Sequence, residues 1–332
     1  MKLCQVNHSD VDFDCLDGFD DRTVFQTKQW LDFLADAVHA TPVIAELRGG
    51  EGRLGYFTGA IVRKFGFRIL GSPFPGWTTA YMGFNLLPDV PRREALAALE
   101  AFALRELRCT HIEIMDHNLS LEDGQSLGFS ARALTGYRSD LTPSEDVIFA
   151  GMTSACRRCI RKSEKSGVTI EEASDEDFAE EYYDQLTDVF GKQGLVPTYD
   201  LARVHQLIKH LRPTGRLLLL RARNAEGRCI ATGIYPAMNR LSYFWGNASY
   251  QKDQGVRPNE ALHWYAMRYW KSRGMRWHDW GGGGEYKQKY GGTPIAVPWF
   301  FKSKNQIFLN ARRAAYHLWH KHREFMRLFH RG

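Results

Sequence analysis

The sequence predicts an α/β protein of two similar halves, each a mixed sheet flanked by helices. A chain of 332 residues is too long for one ordinary hydrophobic core and favours two domains. The predicted order of elements (helix, hairpin, strand, helix, strand) also occurs twice, and such alternation is buried most readily as a sheet with helices on its faces. We therefore expect a first domain over residues 1–150 and a second over residues 151–308.

The first half opens with an amphipathic helix, because Trp30, Phe33 and Leu34 share one face of the segment Lys28–Ala40. A hairpin with a glycine-rich turn, a third strand, a second helix and a fourth strand complete this half. These elements are predicted at Pro42–Leu47, Arg53–Val62, Phe67–Leu70, Arg92–Leu107 and His111–Met115.

The second half repeats this plan. Its first helix is predicted over Asp175–Phe190, with Ser174 as the N-cap and Asp177 as the acidic residue of a capping box. A second helix, three strands, a third helix and a final strand follow. These elements are predicted at Leu201–Leu211, Arg216–Arg223, Cys229–Pro236, Leu241–Ala248, Asn259–Arg273 and Arg276–Trp280.

The composition indicates a water-soluble protein, with 44% hydrophobic and 25% charged residues. No run of about 18 apolar residues is present, and the N-terminus lacks the apolar stretch of a secretory signal. We therefore expect a cytoplasmic protein without an integral membrane segment. Its six cysteines are then reduced thiols, and Cys156 and Cys159, which have no second pair, are packing residues. We expect no metal site.

The net charge of +6 is concentrated in the C-terminal tail. Residues 310–332 carry six Arg or Lys residues and one Glu, which is +5 and leaves +1 for the rest of the chain. Apolar residues recur in this tail at roughly helical spacing. We expect a C-terminal helix over residues 309–332 that docks on the first domain by its apolar face. Its basic side is then free for a peripheral contact with an anionic membrane or with RNA.

A second basic segment, Arg157–Val168, predicts a helix with Ser154 as the N-cap and Gly167 as the left-handed residue after its C-terminus. Arginines and lysines recur in it at i, i+4 and i+8, which produces one broad cationic face. A solvated surface helix is the simplest interpretation of such a charge run. The alternative is a surface that binds the anionic parts of a substrate, phosphates above all. Its candidate residues are Arg157, Arg158, Arg161 and Lys162.

This basic run, RRCIRKSEKSGV, resembles the helix that opens the second of two acetyltransferase-like (GNAT) halves in the Fem transferases. The run Phe25-Gln26-Thr27-x-x-Trp30 is similar to the opening F-Q-S-x-x-W of that family. The resemblance implies tandem GNAT-like domains in a Fem-type architecture, here without the coiled-coil arm of the larger members. It also implies an acyltransferase that moves an aminoacyl group from charged tRNA to an amine, which in the best-known members belongs to a cell-wall precursor peptide.

The run Tyr286–Gly291 resembles the F-K-x-x-F-G element that closes the second half of Fem transferases, and it implies that Lys287 lies at the reaction centre. A fixed cation there stabilises the oxyanion that forms when an amine attacks an ester carbonyl. The neighbouring candidates for substrate binding are Tyr286, Lys289 and Tyr290, and Trp245 is a candidate for the acceptor pocket or for stacking on the terminal adenine of tRNA. In the alternative interpretation, both lysines are ordinary loop residues.

Asp116 ends the strand Ile112–Asp116, which is similar to a family strand that ends in an aspartate. A buried carboxylate there could accept the proton of the attacking amine. The alternative role is a cap on the following turn.

Several departures from the family pattern leave the substrates open. Leu34 stands where members acting on muropeptides carry a lysine, and Gly194–Thr198 replaces an expected arginine, so a small metabolite or a peptide natural product is a second class of acceptor. No bound cofactor is expected, with aminoacyl-tRNA as co-substrate. The alternative donor is acyl-CoA, used on a polysaccharide- or lipid-linked substrate, and its pyrophosphate would bind at the turn Lys252–Arg257. A third interpretation is a non-catalytic RNA-binding protein.

Overall fold

The computed structural model describes residues 1–310 and residue 314, except positions 51, 65, 75, 192 and 193. The described chain forms two compact units. The first comprises residues 1–134 together with the described residues from 296 onwards, and the second comprises residues 135–295. The chain crosses from one unit to the other within two strands, β7 (Ser130–Asp140) and β14 (Thr293–Ser303). The domain boundary expected at residue 150 stays a prediction.

The first unit is a mixed sheet with helices packed against it. Its strands follow the order β1-β2-β3-β4-β6-β14, with β5 paired to β3, and β4 runs parallel to β6 while the other pairs are antiparallel. Besides β14, the helices and strands of this unit are β1 (Lys2–Val6), α1 (Phe13–Asp17), α2 (Lys28–Val38), β2 (Thr41–Gly49), β3 (Gly52–Lys64), β4 (Phe67–Ser72), β5 (Gly83–Leu86), α3 (Arg92–Ala101), β6 (His111–Met115) and α4 (Leu121–Gln125).

The core of the first unit lies between α3 and the sheet. Leu96 and Leu99 of α3 belong to one buried cluster with Phe57 of β3 and Ile112 of β6. The predicted helix Arg92–Leu107 is present, but its last turn, Phe102–Glu106, widens into a π-helical turn. Burial of large apolar side chains on both elements therefore fixes α3 against the sheet.

The second unit is also a mixed sheet with helices. Its strands follow the order β7-β13-β11-β10-β9-β8, with β12 paired to β10. Strand β13 runs parallel to β11 and antiparallel to β7. The elements are α5 (Glu145–Gly151), α6 (Ser154–Lys165), β8 (Thr169–Glu172), α7 (Phe178–Gly191), α8 (Leu201–Leu211), β9 (Leu217–Arg223), β10 (Cys229–Met238), β11 (Leu241–Tyr243), β12 (Gly246–Ser249), α9 (Pro258–Ser272) and β13 (Trp277–Gly282).

The predicted mixed α/β class is confirmed, but the start of one helix and the extent of one strand in the second unit differ from the prediction. The helix predicted from Asp175 begins at Phe178, so Ser174 is not its N-cap. Asp175 instead binds Arg221 with both carboxylate oxygens, at 2.5 Å each, and this ion pair holds the segment in front of the helix. The strand predicted over Leu241–Ala248 is interrupted between β11 and β12.

The C-terminal helix predicted over residues 309–332 lies outside the described residues, apart from residues 309, 310 and 314. Of the helices that the structure describes, none has the length and apolar character needed to cross a membrane. The longest of these helices, α9, has 15 residues.

Candidate active site

The break between β11 and β12 opens the sheet of the second unit. On β10, Ala237 pairs with Ser242 and Ile234 pairs with Gly246, so two residues of β10 face three residues of the other strand. This extra residue is a β-bulge, which bends a strand and ends a regular ladder. Within the described chain, β11 pairs with β13 on its second edge, whereas β12 pairs with β10 alone.

The backbone at the bulge switches partners within two residues. The amide of Phe244 donates to the Asp279 carbonyl of β13 at 2.8 Å, and the next amide, that of Trp245, donates to the Ile234 carbonyl of β10 at 3.1 Å. Beyond this point β12 leaves β13, and the edge of β12 that faces away from β10 makes no ladder among the described strands. Peptide groups on an open edge are available to bind an extended ligand.

The glycine run after β13 is required by its backbone conformation. Gly281, Gly283 and Gly284 have φ values of 68°, 71° and 73°, a left-handed region that other residues rarely adopt. A Cβ atom on Gly281 or Gly283 would meet no atom within 4 Å, so close packing is not the reason for these two glycines. The three residues turn the chain back into the 3₁₀ turn Glu285–Tyr290, which carries Lys287.

Lys287 is the third residue of this turn and is buried, with 6% of its surface exposed. Its Nζ donates to the carbonyl oxygens of Trp280 at 2.5 Å and Gly282 at 2.8 Å. A lysine ammonium has three donors, so one N–H remains for another acceptor. Burial lowers the pKa of Lys287 from 10.5 to about 8, and the negative charge of Asp279 opposes this shift. Lys287 is therefore still mainly a cation at neutral pH.

Asp279 is a buried charge that the sequence analysis did not select. Its carboxylate lies 3.0 Å from Nη2 of Arg138 and accepts the amide of Gly281 at 2.7 Å. The second bond fixes the first glycine of the run, and the charge acts on Lys287. Nδ1 of the neighbouring residue His278 lies 2.9 Å from Oγ of Ser242. The one sequence signal for Asp279 was an acidic residue at the end of a strand that leads into a glycine run.

Aromatic rings form the wall next to Lys287. Tyr290 is buried and stacks on Trp280 with 4.5 Å between ring centroids, and Nζ of Lys287 lies 5.9 Å from the ring of Phe244. His263 lies among these rings, and burial lowers its pKa well below the usual value, so it is neutral. Tyr286 is 52% exposed. Of the two predicted tyrosines, Tyr290 is therefore part of the packed wall and Tyr286 is accessible to a ligand.

Lys289 and Trp245 have different surroundings from Lys287. Nζ of Lys289 lies 2.8 Å from the carboxylate of Glu260 in the first turn of α9, so its charge is neutralised within the protein. Trp245 lies at the bulge, with its ring 5.2 Å from that of Tyr199 and 6.3 Å from that of Tyr182. Its buried indole Nε1 has no hydrogen-bond partner among the described residues, and a buried donor left unpaired is costly. It is thus a candidate donor to a bound substrate.

The basic run forms α6, and the N-cap of this helix lies one residue before the predicted one. The side chain of Thr153, not that of Ser154, accepts the amide of Cys156 at 3.2 Å and is the N-cap. Gly167 has a φ of 72°, as predicted for the residue after the helix. Cys156 is buried, whereas Cys159 is only partly buried.

One face of α6 lines a cleft of ≈690 Å³. Its wall combines small residues with five cations, one of which, Arg257, comes from the segment before α9. The lining residues are Ala155, Arg158, Cys159, Arg161, Lys162, Lys165, Ser166 and Arg257. The structure thus brings three of the predicted phosphate-binding residues together, namely Arg158, Arg161 and Lys162.

Arg157 is directed elsewhere. Its Nη1 donates to the carbonyl of Ala150 at 2.7 Å and to that of Met152, which are the last residues of α5 and the link to α6. Arg157 thus caps carbonyl groups that the end of a helix leaves free. A role in binding phosphates stays a prediction for this residue.

Replacing Arg157 should therefore affect folding more than ligand binding. For Arg157→Ala we expect a loss of about 1–3 kcal/mol of unfolding free energy, because two carbonyl groups lose a charged donor. The affinity for a polyanion should change less than threefold. Urea denaturation and polyanion binding should be measured on the same sample, and an unchanged midpoint with weakened binding would contradict this role.

Asp116 lies in the first unit, and its carboxylate, 1% exposed, is surrounded by donors. It accepts the amides of Phe84 at 3.0 Å and Asn118 at 2.9 Å and lies 3.3 Å from Arg92. Burial raises the pKa of Asp116, and Arg92 opposes the rise. The bond to Asn118 is the turn cap that was the alternative role. Its role as a proton acceptor stays a prediction.

The candidate pyrophosphate turn is a closed 3₁₀ turn, Gln251–Val256. The amides of Asp253 and Arg257 donate to carbonyls within or just before the turn, those of Tyr250 and Gln254. Arg257 has a φ of 62°, and Pro258, which has no amide hydrogen, is the first residue of α9. The amides of Asp253 and Arg257 are therefore not available to a pyrophosphate, and Pro258 offers none.

Comparison with known proteins identifies the family of the second unit. A model of the acetyltransferase (GNAT) domain matches residues 152–290, a range that includes α6, the bulge, the turn before α9 and Lys287. The second unit carries a GNAT domain. The predicted resemblance to the GNAT-like superfamily is thus confirmed for this part of the chain. No curated protein matches the chain significantly.

Solved structures extend the GNAT likeness to nearly the whole chain. FemX is 14% identical, with 94% of this chain and 99% of FemX covered and a TM-score of 0.73. A tandem GNAT protein from the clavulanic acid biosynthesis pathway is 12% identical, with 92% and 98% covered and a TM-score of 0.52. L-PGS from Bacillus licheniformis is 12% identical, with 84% and 88% covered and a TM-score of 0.53. These likenesses confirm the predicted Fem-type fold.

Within the part of the chain that the structure describes, no three His, Cys, Asp or Glu side chains are grouped so that they could hold a metal ion. The groups gathered at the candidate site are a buried cation, an open strand edge and aromatic rings. They can bind an acyl donor and stabilise negative charge on its carbonyl oxygen.

Proposed function

We propose that this GNAT-type protein transfers an aminoacyl group from aminoacyl-tRNA to the amine of an acceptor. The amine nitrogen attacks the ester carbonyl carbon, a C–N bond forms, and the C–O bond to the ribose breaks. The amine loses a proton, and the ribose oxygen gains one as it leaves. The products are an amide and uncharged tRNA. The acceptor amine belongs to a cell-wall precursor peptide, a small metabolite or a natural-product peptide.

The observation that carries this proposal is the environment of Lys287. Two carbonyl groups hold its ammonium in place and leave one N–H free. An oxygen ester is a poorer acyl donor than a thioester, so attack on it gains more from a fixed cation next to the developing oxyanion. A preorganised donor of this kind contributes about 3–4 kcal/mol to transition-state stabilisation.

The turn before α9 supports an RNA ester over acyl-CoA as the donor. The amides of Asp253 and Arg257 are used within the turn, Pro258 has none, and Arg257 stands where a pyrophosphate turn has a small residue. The bulge and the open edge of β12 remain available to an extended donor in either case. Acyl-CoA-dependent N-acylation of a polysaccharide- or lipid-linked amine is the alternative that the experiment must separate.

The deciding experiment offers both donors side by side. A mixture of tRNAs charged with labelled amino acids, or labelled acetyl-CoA, is incubated with the protein and an amine fraction of a cell extract. We expect the label to leave tRNA and appear in a nuclease-resistant amide, and to stay on CoA. Transfer from acetyl-CoA alone would exclude the proposal in favour of the alternative, and no transfer from either donor, with tRNA bound, would favour a non-catalytic RNA-binding protein.

A further inference from the structure

The cleft on α6 contains cations that the protein itself leaves unneutralised. Among the described residues, no carboxylate oxygen lies within 4.0 Å of a nitrogen of its five cations. They are Arg158, Arg161, Lys162, Lys165 and Arg257. Other arginines and lysines of the second unit are paired with carboxylates, as in Arg228–Asp253, Arg268–Glu145 and Lys289–Glu260. Like charges held together without counter-charges repel one another and attract an anion.

The arrangement of these cations suits an extended row of phosphates. Arg158 and Lys165 are seven residues apart on one face of α6, which at 1.5 Å per residue is about 10 Å. A row of this length is long enough for its cations to contact more than one phosphate of a single RNA strand. Arg257 adds a cation from a second element, where its left-handed backbone conformation ends the turn before α9.

The shape and lining of the cleft argue against a membrane as the partner. The wall is concave, with ≈690 Å³ of space, and a planar bilayer cannot enter it. Its only apolar side chain other than the thiol of Cys159 is that of Ala155, whereas membrane-bound surfaces bury large apolar groups beside their cations. An exposed phosphate chain fits better.

We propose that this cleft binds the sugar–phosphate backbone of the donor tRNA through Arg158, Arg161, Lys162, Lys165 and Arg257. The inference rests on the proposed function for the identity of the RNA. It removes Arg157 from the predicted phosphate-binding set and adds Lys165 and Arg257. The contacts are to phosphates, so binding is independent of the amino acid that the tRNA carries and depends strongly on salt.

The test measures binding of fluorescein-labelled, uncharged tRNA by anisotropy at several salt concentrations. One variant neutralises α6 through Arg158→Gln, Arg161→Gln, Lys162→Gln and Lys165→Gln, and a second carries Arg257→Gln alone. A control removes four exposed, ion-paired cations elsewhere, through Lys2→Gln, Lys28→Gln, Arg48→Gln and Arg268→Gln.

We expect the α6 variant to bind tRNA at least about tenfold more weakly, and its slope of log K against log salt to fall by about 0.7–0.9 per cation removed. Arg257→Gln should lower the slope by about one such step, and the control should change neither value by a comparable amount. Equal weakening in the control, or unchanged binding in the α6 variant, would overturn the proposal. Competition by CoA, or α6-dependent binding to phosphatidylglycerol vesicles with no effect on tRNA, would assign the cleft to those ligands and overturn it too.

Cys159 provides a second readout because it lies in the wall of the cleft. Its rate of alkylation by N-ethylmaleimide, measured by mass spectrometry of its peptide, should fall several-fold when tRNA is bound. Cys4, which is partly exposed in the first unit, should keep its rate. Equal rates for Cys159 with and without tRNA would count against the cleft.

The two proposals can fail separately. Transfer from aminoacyl-tRNA with unchanged binding in the α6 variant would leave the proposed function standing and exclude the cleft as its RNA site. Binding of tRNA that depends on α6, without any transfer, would leave the cleft standing and exclude the proposed function.

Discussion

Lys287→Ala should lower the rate of acyl transfer by about 10²–10³-fold, the effect of removing one donor from an oxyanion site. The loss should appear in kcat with little change in KM, because the charge on the carbonyl oxygen develops only in the transition state. Steady-state transfer from the donor identified in the two-donor assay is the measurement. Lys287→Met, which keeps the approximate length of the side chain without its charge, should lower kcat by the same factor.

The matched control is Lys289→Ala, two residues along the same turn. Because Lys289 is paired with Glu260, its loss should alter stability more than kcat. A reduction in kcat as large as that of Lys287→Ala would mean that the turn as a whole, rather than the Lys287 ammonium, supports the reaction. Circular dichroism of each variant must show a retained fold.

The pH profile of the wild-type protein gives an independent test of the charge. The pKa of Lys287 lies at about 8, so its cation is present below that pH and is lost as the pH rises through it. Transfer activity should therefore fall above about pH 8, and this falling limb should be absent from the residual activity of Lys287→Met.

Asp279→Asn is expected to have the second large effect, on both stability and pH dependence. The substitution removes the buried partner of Arg138, and breaking such a pair costs about 3 kcal/mol or more of unfolding free energy. It also removes the negative charge that supports the Lys287 ammonium, so the pKa of Lys287 should fall further below 8. The falling limb of the pH profile should move to lower pH.

The control for Asp279→Asn is the same change at an exposed pair. Asp253→Asn breaks the pair with the exposed Arg228 and should cost about 1 kcal/mol or less. Chemical denaturation gives the two unfolding free energies, and the transfer assay at several pH values gives the pH at which activity falls. A falling limb that stays in place in Asp279→Asn would mean that another group limits activity at high pH.

The sequence determined the order of elements and most of their limits. Apolar periodicity placed α2, α8 and β6, and the left-handed glycine after α6 followed from residue type alone. These features depend on local rules, namely side-chain spacing and backbone sterics, that a single chain displays directly. The short motifs also placed Lys287 in a turn after a glycine run, where the structure has it.

Tertiary contacts determined where some helices and strands begin and which groups the charged side chains contact. Asp175, in the segment before α7, forms an ion pair with Arg221 of a distant strand, and the capping pattern in front of the helix could not reveal this. The strand predicted over Leu241–Ala248 was divided because its two ends pair with different neighbours. Such partners lie far apart in the sequence, so no local pattern reports them.

The difference between what the sequence predicts and what tertiary contacts add is greatest for the cations of the candidate site. The sequence determined that Arg157 and its neighbours form a basic helix, and that Arg257 departs from a pyrophosphate turn. Only the tertiary structure directed Arg157 to carbonyls of α5, neutralised Lys289 with Glu260 and brought Arg257 to the cleft on α6. A charge is set by the residue type, but whether it is available to a ligand is set by what packs beside it.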